Sequence, residues 1–92
     1  MADHVIDNRV RNRYELTIDG ETAYVAYARE CGLITFIHTI VPEALAGRGI
    51  GSILARHVLD AARADGDKVI PQCPFIAAYI RKHPEYQNLV AA

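Results

Sequence analysis

The sequence is short of cysteine, of any excess of one charge and of long apolar runs, and each shortage excludes a class of protein. Two cysteines, Cys31 and Cys73, stand in 92 residues. They form no CxxC pair and no Cys/His pattern of zinc spacing, and two are too few to staple a secreted mini-domain. They are expected as free thiols in a reducing compartment. Ten Lys and Arg against eleven Asp and Glu leave a net charge of -1. That balance makes no general field toward nucleic acid or a membrane surface, so neither is an expected partner. No apolar run approaches the roughly 18 residues of a spanning helix, and no basic stretch near Met1 leads into an apolar one as a secretory signal would. A soluble, cytoplasmic protein is the expectation. No repeat, linker or low-complexity stretch appears, and no histidine spacing suggests a metal.

What is present suffices for a single domain over 1–92. The hydrophobic fraction is 51%, and a chain of this size buries about 60 to 70% of its unfolded surface. Tyr14 to Ile18 alternates apolar and polar side chains, with Arg9, Arg11 and Arg13 continuing the polar face backwards, as in a half-exposed edge strand. Asp19-Gly20 predicts a type I′ hairpin, because both central residues of that turn need positive φ. Glu21 to Arg29 reads as a second strand covered on both faces. After a turn at Glu30-Cys31-Gly32, Leu33 to Val41 reads as the central strand. Strict alternation puts Leu33, Ile37 and Val41 on one of its faces and Ile34, Phe36, His38 and Ile40 on the other. Pro42 ends it.

From Ile50 onward, Ile53, Leu54, Val58, Ala61 and Ala62 recur at helical spacing for about four turns, with Gly66 as the C-terminal cap. Lys68 to Gln72 predicts a short strand. Pro74 opens a second helix that runs to about Lys82 and stops before Pro84. The order β-β-β-α-β-α predicts an α+β fold with a four-stranded mixed sheet: three antiparallel strands, then a right-handed crossover that lays the fourth parallel to the third.

Three of the six glycines fall at 47, 49 and 51, between a strand and a helix. Glycines there let a ligand approach the backbone, and the unpaired N–H groups of the first helical turn face an anion with the helix dipole behind them. Phosphate or pyrophosphate is the natural occupant. No lysine follows, so this is no Walker loop, and a Gly-x-Gly-x-x-Gly fingerprint ends on Ser52 or Leu54 instead of glycine. A glycine-rich turn without a ligand stays open as the plainer reading.

Gly47-Arg48-Gly49-Ile50-Gly51 after Val41-Pro42 resembles the acyl-CoA pyrophosphate loop of the GNAT superfamily of N-acyltransferases, whose signature is Arg/Gln-x-x-Gly-x-Gly/Ala. Gly49 and Gly51 match its glycines, while Ala46 stands where Arg or Gln is usual. His38-Thr39-Ile40-Val41-Pro42 and Cys73 to Tyr86 are similar to the short, single-domain branch often called YjdJ-like. The resemblance runs from about Tyr14 to Val90. It implies a truncated GNAT fold that takes acetyl-CoA as cosubstrate. The pantetheine arm would lie along Thr39, Ile40 and Val41, where the third and fourth strands splay apart. The pyrophosphate would lie on Gly47, Arg48, Gly49, Ile50, Gly51 and Ser52.

Acetyl transfer from a thioester to an amine needs a neutral amine, a donor for the oxyanion and a proton for the departing thiolate. The resemblance makes Tyr79 a proton donor and Cys73 a catalytic residue, either an acid/base toward the CoA sulfur or a covalent acceptor of the acetyl group. Cys73 also precedes a proline-started helix and so sits at the positive end of its dipole, a setting of reactive thiols. His38 is expected beside the thioester as a base for the amine. Against these stand structural roles: a core aromatic for Tyr79, a small buried hydrophobe for Cys73 and a bonded core histidine for His38. Three functions follow: an N-acetyltransferase acting on an unidentified small-molecule or protein amine, a CoA-binding module without turnover, and an interaction domain that has lost the cofactor.

Overall fold

The computed structural model describes residues 4–91. Five strands form one sheet in the order of the chain: β1 (Ile6–Asn8), β2 (Arg13–Ile18), β3 (Glu21–Glu30), β4 (Leu33–Ile40) and β5 (Lys68–Pro71). Neighbours are antiparallel up to β4, and β5 runs parallel to β4. There are two α-helices, α1 (Ile50–Asp65) and α2 (Pro74–Lys82), with a 3-10 helix before the first, Glu43–Leu45, and another after the second, Pro84–Leu89.

The expected four-stranded sheet is therefore corrected to five. Arg9, Arg11 and the residues around them turn the chain instead of extending a strand, with Asn12 at φ 54° closing the turn. β1 occupies the edge that β2 was expected to hold. Its three residues are fixed mainly by tertiary contacts, among them the Tyr27 hydroxyl donating to Asp7. At the opposite edge, Val90 bridges Val69, and the Ala91 N–H donates to the Val69 carbonyl at 2.9 Å, so the return of the chain covers β5.

Asp19 and Gly20 have φ of 52° and 79°, as the hairpin requires, and Cys31 and Gly32 repeat the pair at 49° and 78°. Leu16, Val25, Ile34, Phe36 and Val69 from the sheet pack with Leu54, Val58 and Leu59 of α1 and Ile76 of α2 in one core. Burying one such side chain stabilises by about 1.5 to 3 kcal/mol. The helices cover that face only. Opposite it, Ala28, Leu33, Ile40 and Ile70 are exposed, so β3 is covered on one face where two were expected. β3, not β4, is the middle strand.

Strict alternation along β4 also fails. Tyr27 pairs with Phe36 and Ala26 with His38, which leaves Ile37 as an extra residue, a β-bulge. One inserted residue exchanges the faces of everything after it. His38 and Ile40 consequently share the open face, opposite Phe36, and Thr39 takes the core side opposite Val25.

Candidate active site

β4 and β5 pair from Leu33 with Lys68 to Phe36 with Pro71, and the Cys73 N–H adds a last bond to the Phe36 carbonyl at 2.8 Å. Beyond this point β5 has given way to α2, while β4 continues through Thr39 and Ile40 toward Val41. Its outer edge there has no strand partner. The gap is a consequence of the bulge, because a bulged strand bends and twists more strongly, here just where its partner ends.

At the apex, Cys73 is 2% exposed and caps α2. Its Sγ lies 3.3 Å from the Thr39 Oγ1, a contact between residues 34 apart in the chain. The bulge makes this contact, since without it Thr39 would face away from Cys73.

Past Val41, a 3-10 turn delivers the chain to the glycines. Gly47 and Gly49 have φ of 81° and 71°, a region that L side chains enter at a cost of roughly 1–2 kcal/mol. Gly49 is the N-cap of α1, and no side chain caps the helix. The first helical bond runs from the Ile53 N–H to the Gly49 carbonyl at 3.1 Å. The N–H groups of Ile50, Gly51 and Ser52 therefore have no helical partner, and no acidic residue stands in the first turn. Ile50 itself is buried, so it holds the turn by its side chain and presents only its amide. Val41, Gly47, Gly49, Gly51, Ser52 and Phe75 line a cavity of about 290 Å³ over these amides. Free donors, a helix dipole and open backbone suit a phosphate or diphosphate. Arg48 reaches away from the cradle to Asp19, 3.5 Å distant, in an exposed pair worth at most about 1 kcal/mol. Ala46 contributes no side-chain anchor.

The remaining chemical candidates stand apart from Cys73. Tyr79 lines a second cavity of about 210 Å³ between α1 and α2, with Ser52, Phe75, Lys82 and His83. Its ring stacks on His83 with centroids 3.9 Å apart. His38 lies on the open sheet face with its ring 6.0 Å from that of Tyr24, so the expectation that it shares a face with Phe36 is corrected by the Ile37 bulge. The structure thus brings Thr39 and Cys73 together and leaves Tyr79 and His38 on opposite sides of the sheet. Sequence reading missed Phe75, which borders both cavities; nothing local marks it beyond an aromatic residue following Pro74. Among the described residues, no three His, Cys, Asp or Glu side chains group as a metal site would need, and no helix is long and apolar enough to cross a membrane.

A model of the GCN5-related N-acetyltransferase family matches residues 13–89. Among solved structures, a GCN5-like protein from Staphylococcus aureus, determined in solution by NMR, is 25% identical with a TM-score of 0.74, over 100% of this chain and 92% of that one. Comparison with curated proteins returns no match.

Proposed function

Because this chain belongs to the GCN5-related N-acetyltransferase family, we propose that it transfers an acetyl group from acetyl-CoA to an amine at the gap between β4 and β5. Acetyl-CoA supplies the acyl group already activated as a thioester. The work of the chain is to bind, orient and move protons.

One observation carries the reading. The unpartnered edge of β4 leads through Val41 directly into the free amides of Ile50, Gly51 and Ser52. The first element suits an amide-containing arm that extends the sheet as an added strand along Thr39, Ile40 and Val41. The second suits the diphosphate that follows such an arm, cradled by the backbone from Gly47 to Ser52. Arg48 adds a cation once its weak exposed pair with Asp19 opens. The two subsites occur in the order in which their ligand groups are joined.

Cys73 is our candidate for the reacting end, because its sulfur sits at the apex of the gap with the Thr39 hydroxyl in contact. In direct transfer, the Cys73 thiol gives its proton to the departing CoA sulfur. In a covalent route, the Cys73 sulfur takes the acetyl group and the same proton goes to the CoA sulfur. Thr39 orients that thiol in either case. His38, on the helix-free side, is our candidate base for an amine arriving from that side. Tyr79 lines the groove beyond Phe75 and is assigned to the far end of the cofactor, ahead of the proton-donor role implied by the family resemblance.

Calorimetry with acetyl-CoA, paired with amide NMR shifts, tests the reading. Saturable binding with shifts centred on 39–41 and 47–52 is the expected result. No binding at about millimolar ligand, a weak Kd corresponding to only about 4 kcal/mol, refutes it.

A further inference from the structure

Gly51 has no need of glycine for its own backbone. It is the second residue of α1 and its φ is not positive, and glycine within a helix is disfavoured relative to alanine. What the missing side chain provides is room. A Cβ at Gly51 would stand 2.8 Å from Cζ and 3.2 Å from Cε2 of Phe75. The Phe75 ring therefore rests directly on the first turn of α1, yet the residue is 42% exposed, so deep burial does not hold it there.

Its position divides a groove. On one side lies the amide cradle, which opens toward Val41 and the free edge of β4. On the other lies the cavity bounded by Ser52, Tyr79, Lys82 and His83. Ser52 and Phe75 border both. The far cavity has a flat aromatic wall, since Tyr79 and His83 stack with 16° between their planes. His83 Nδ1 lies 2.8 Å from the Tyr79 carbonyl oxygen, to which it donates, and this fixes the imidazole against the tyrosine. Lys82 adds a cation. A ligand whose arm follows β4 and whose diphosphate meets the cradle continues, at its other end, over Phe75 into a pocket suited to a planar base and an anionic group.

We infer that Phe75 is a specificity-determining residue that seats the nucleotide end of the cofactor, so that coenzyme A is bound in preference to the same arm without its nucleotide. This rests on the CoA reading above and concerns only how the chain selects within it.

The experiment measures Kd by calorimetry for two probes, coenzyme A and 4′-phosphopantetheine, on the wild-type chain, Phe75→Ala, Phe75→Tyr and Gly51→Ala, with a thermal melt to establish that each is folded. Loss of one aromatic contact to a base is expected to weaken coenzyme A about tenfold in Phe75→Ala, or about 1.4 kcal/mol, and 4′-phosphopantetheine by less than about twofold. Phe75→Tyr keeps the wild-type preference. Gly51→Ala retains the phenylalanine but displaces its ring, and it shows the same selective loss. Three outcomes overturn the inference: Phe75→Ala weakening both probes equally, Phe75→Ala leaving coenzyme A unchanged, or Gly51→Ala retaining the full preference. A wild-type chain that binds both probes equally also refutes the role of Phe75 alone. One that binds neither refutes the CoA reading itself.

Discussion

Replacing Gly49 by alanine separates the conformational role of the cradle from its contacts. A Cβ at Gly49 would meet nothing within 4 Å, so no side-chain clash contributes. The cost is that of holding alanine at φ 71°, roughly 1–2 kcal/mol for an L residue in the left-handed region. Against it stands a gain of about 0.4–1 kcal/mol from the stiffer unfolded chain. The net expectation is a loss of about 1 kcal/mol, or a fall in Tm of about 4–8 °C for a domain of this size. Asparagine enters the left-handed region more readily, so Gly49→Asn is expected to recover about half of that loss. The chain contains no tryptophan, so urea unfolding followed by far-ultraviolet circular dichroism is the suitable assay. Repeating it with coenzyme A adds a second axis, because a ligand that binds only the folded state stabilises it by RT ln(1 + [L]/Kd). If alanine relaxes the turn and rotates the Ile50 and Gly51 amides away, the ligand-dependent gain shrinks as well. A Gly49→Ala chain as stable as wild type, or a Gly49→Asn chain destabilised as much as Gly49→Ala, would refute the argument, since the cost would then not lie in φ.

Other consequences can be checked independently. Cys73→Ser is expected to lower acetyl transfer to a permissive amine by about 10²-fold, on the scale of a lost general acid, while coenzyme A affinity stays within about threefold; thiol release and calorimetry read the two separately. Burial and the hydroxyl bond to Asp60 push Tyr86 up to about 12, and burial and the bond to Asp7 do the same for Tyr27. Both folded values exceed the unfolded value of about 10, so their stabilisation is complete below about pH 10 and lost as pH rises toward about 12, on the order of 2 kcal/mol for each. Urea midpoints should fall through that window, and Tyr86→Phe should remove part of the fall; a flat profile would contradict it. Deleting Ile37 removes the extra residue and leaves Phe36 opposite Tyr27, His38 opposite Ala26 and Thr39 opposite Val25, so the faces are kept while the bend in β4 is lost and its free edge moves toward β5. Coenzyme A affinity is expected to fall about tenfold in calorimetry, or about 1.4 kcal/mol, in a chain that still melts cooperatively; an unchanged Kd would contradict the role given to the bulge.

Sequence reading succeeded where the determinant is local. Asp19-Gly20 needs positive φ at both positions, Gly66 ends α1 at φ 75°, and Pro74 starts α2, each within a few residues of its own signal. The open turn at residues 47 to 52 was legible for the same reason, since the positive φ of Gly47 and Gly49 and the unpaired amides that start α1 are local properties. β1 was not legible, because Ile6–Asn8 offers one period of alternation and its turn contains neither glycine nor proline. Its place depends on Asp7 meeting Tyr27, 20 residues away. The contacts of Thr39 with Cys73 and of Phe75 over Gly51 are likewise tertiary. No period or spacing in the chain encodes them.

The Ile37 bulge belongs to neither group, and it organises the site. Nothing in Leu33-Ile34-Thr35-Phe36-Ile37-His38-Thr39 marks an extra residue, because alternation reads equally well with or without it. Once present, it acts twice. By bending β4 just after Phe36 it takes the strand away from β5, so the backbone from Thr39 to Val41 is left without a strand partner on that edge. By exchanging faces it turns Thr39 toward Cys73 on the helix side and His38 toward the open side. A gap with a thiol on one face and an imidazole on the other suits a reaction whose two substrates arrive from opposite sides of one sheet. The short Asp19-Gly20 hairpin leaves the second side uncovered. The acceptor would therefore meet a bare sheet face with exposed Ile40 beside His38, and selection among amines would fall to the few side chains on that face.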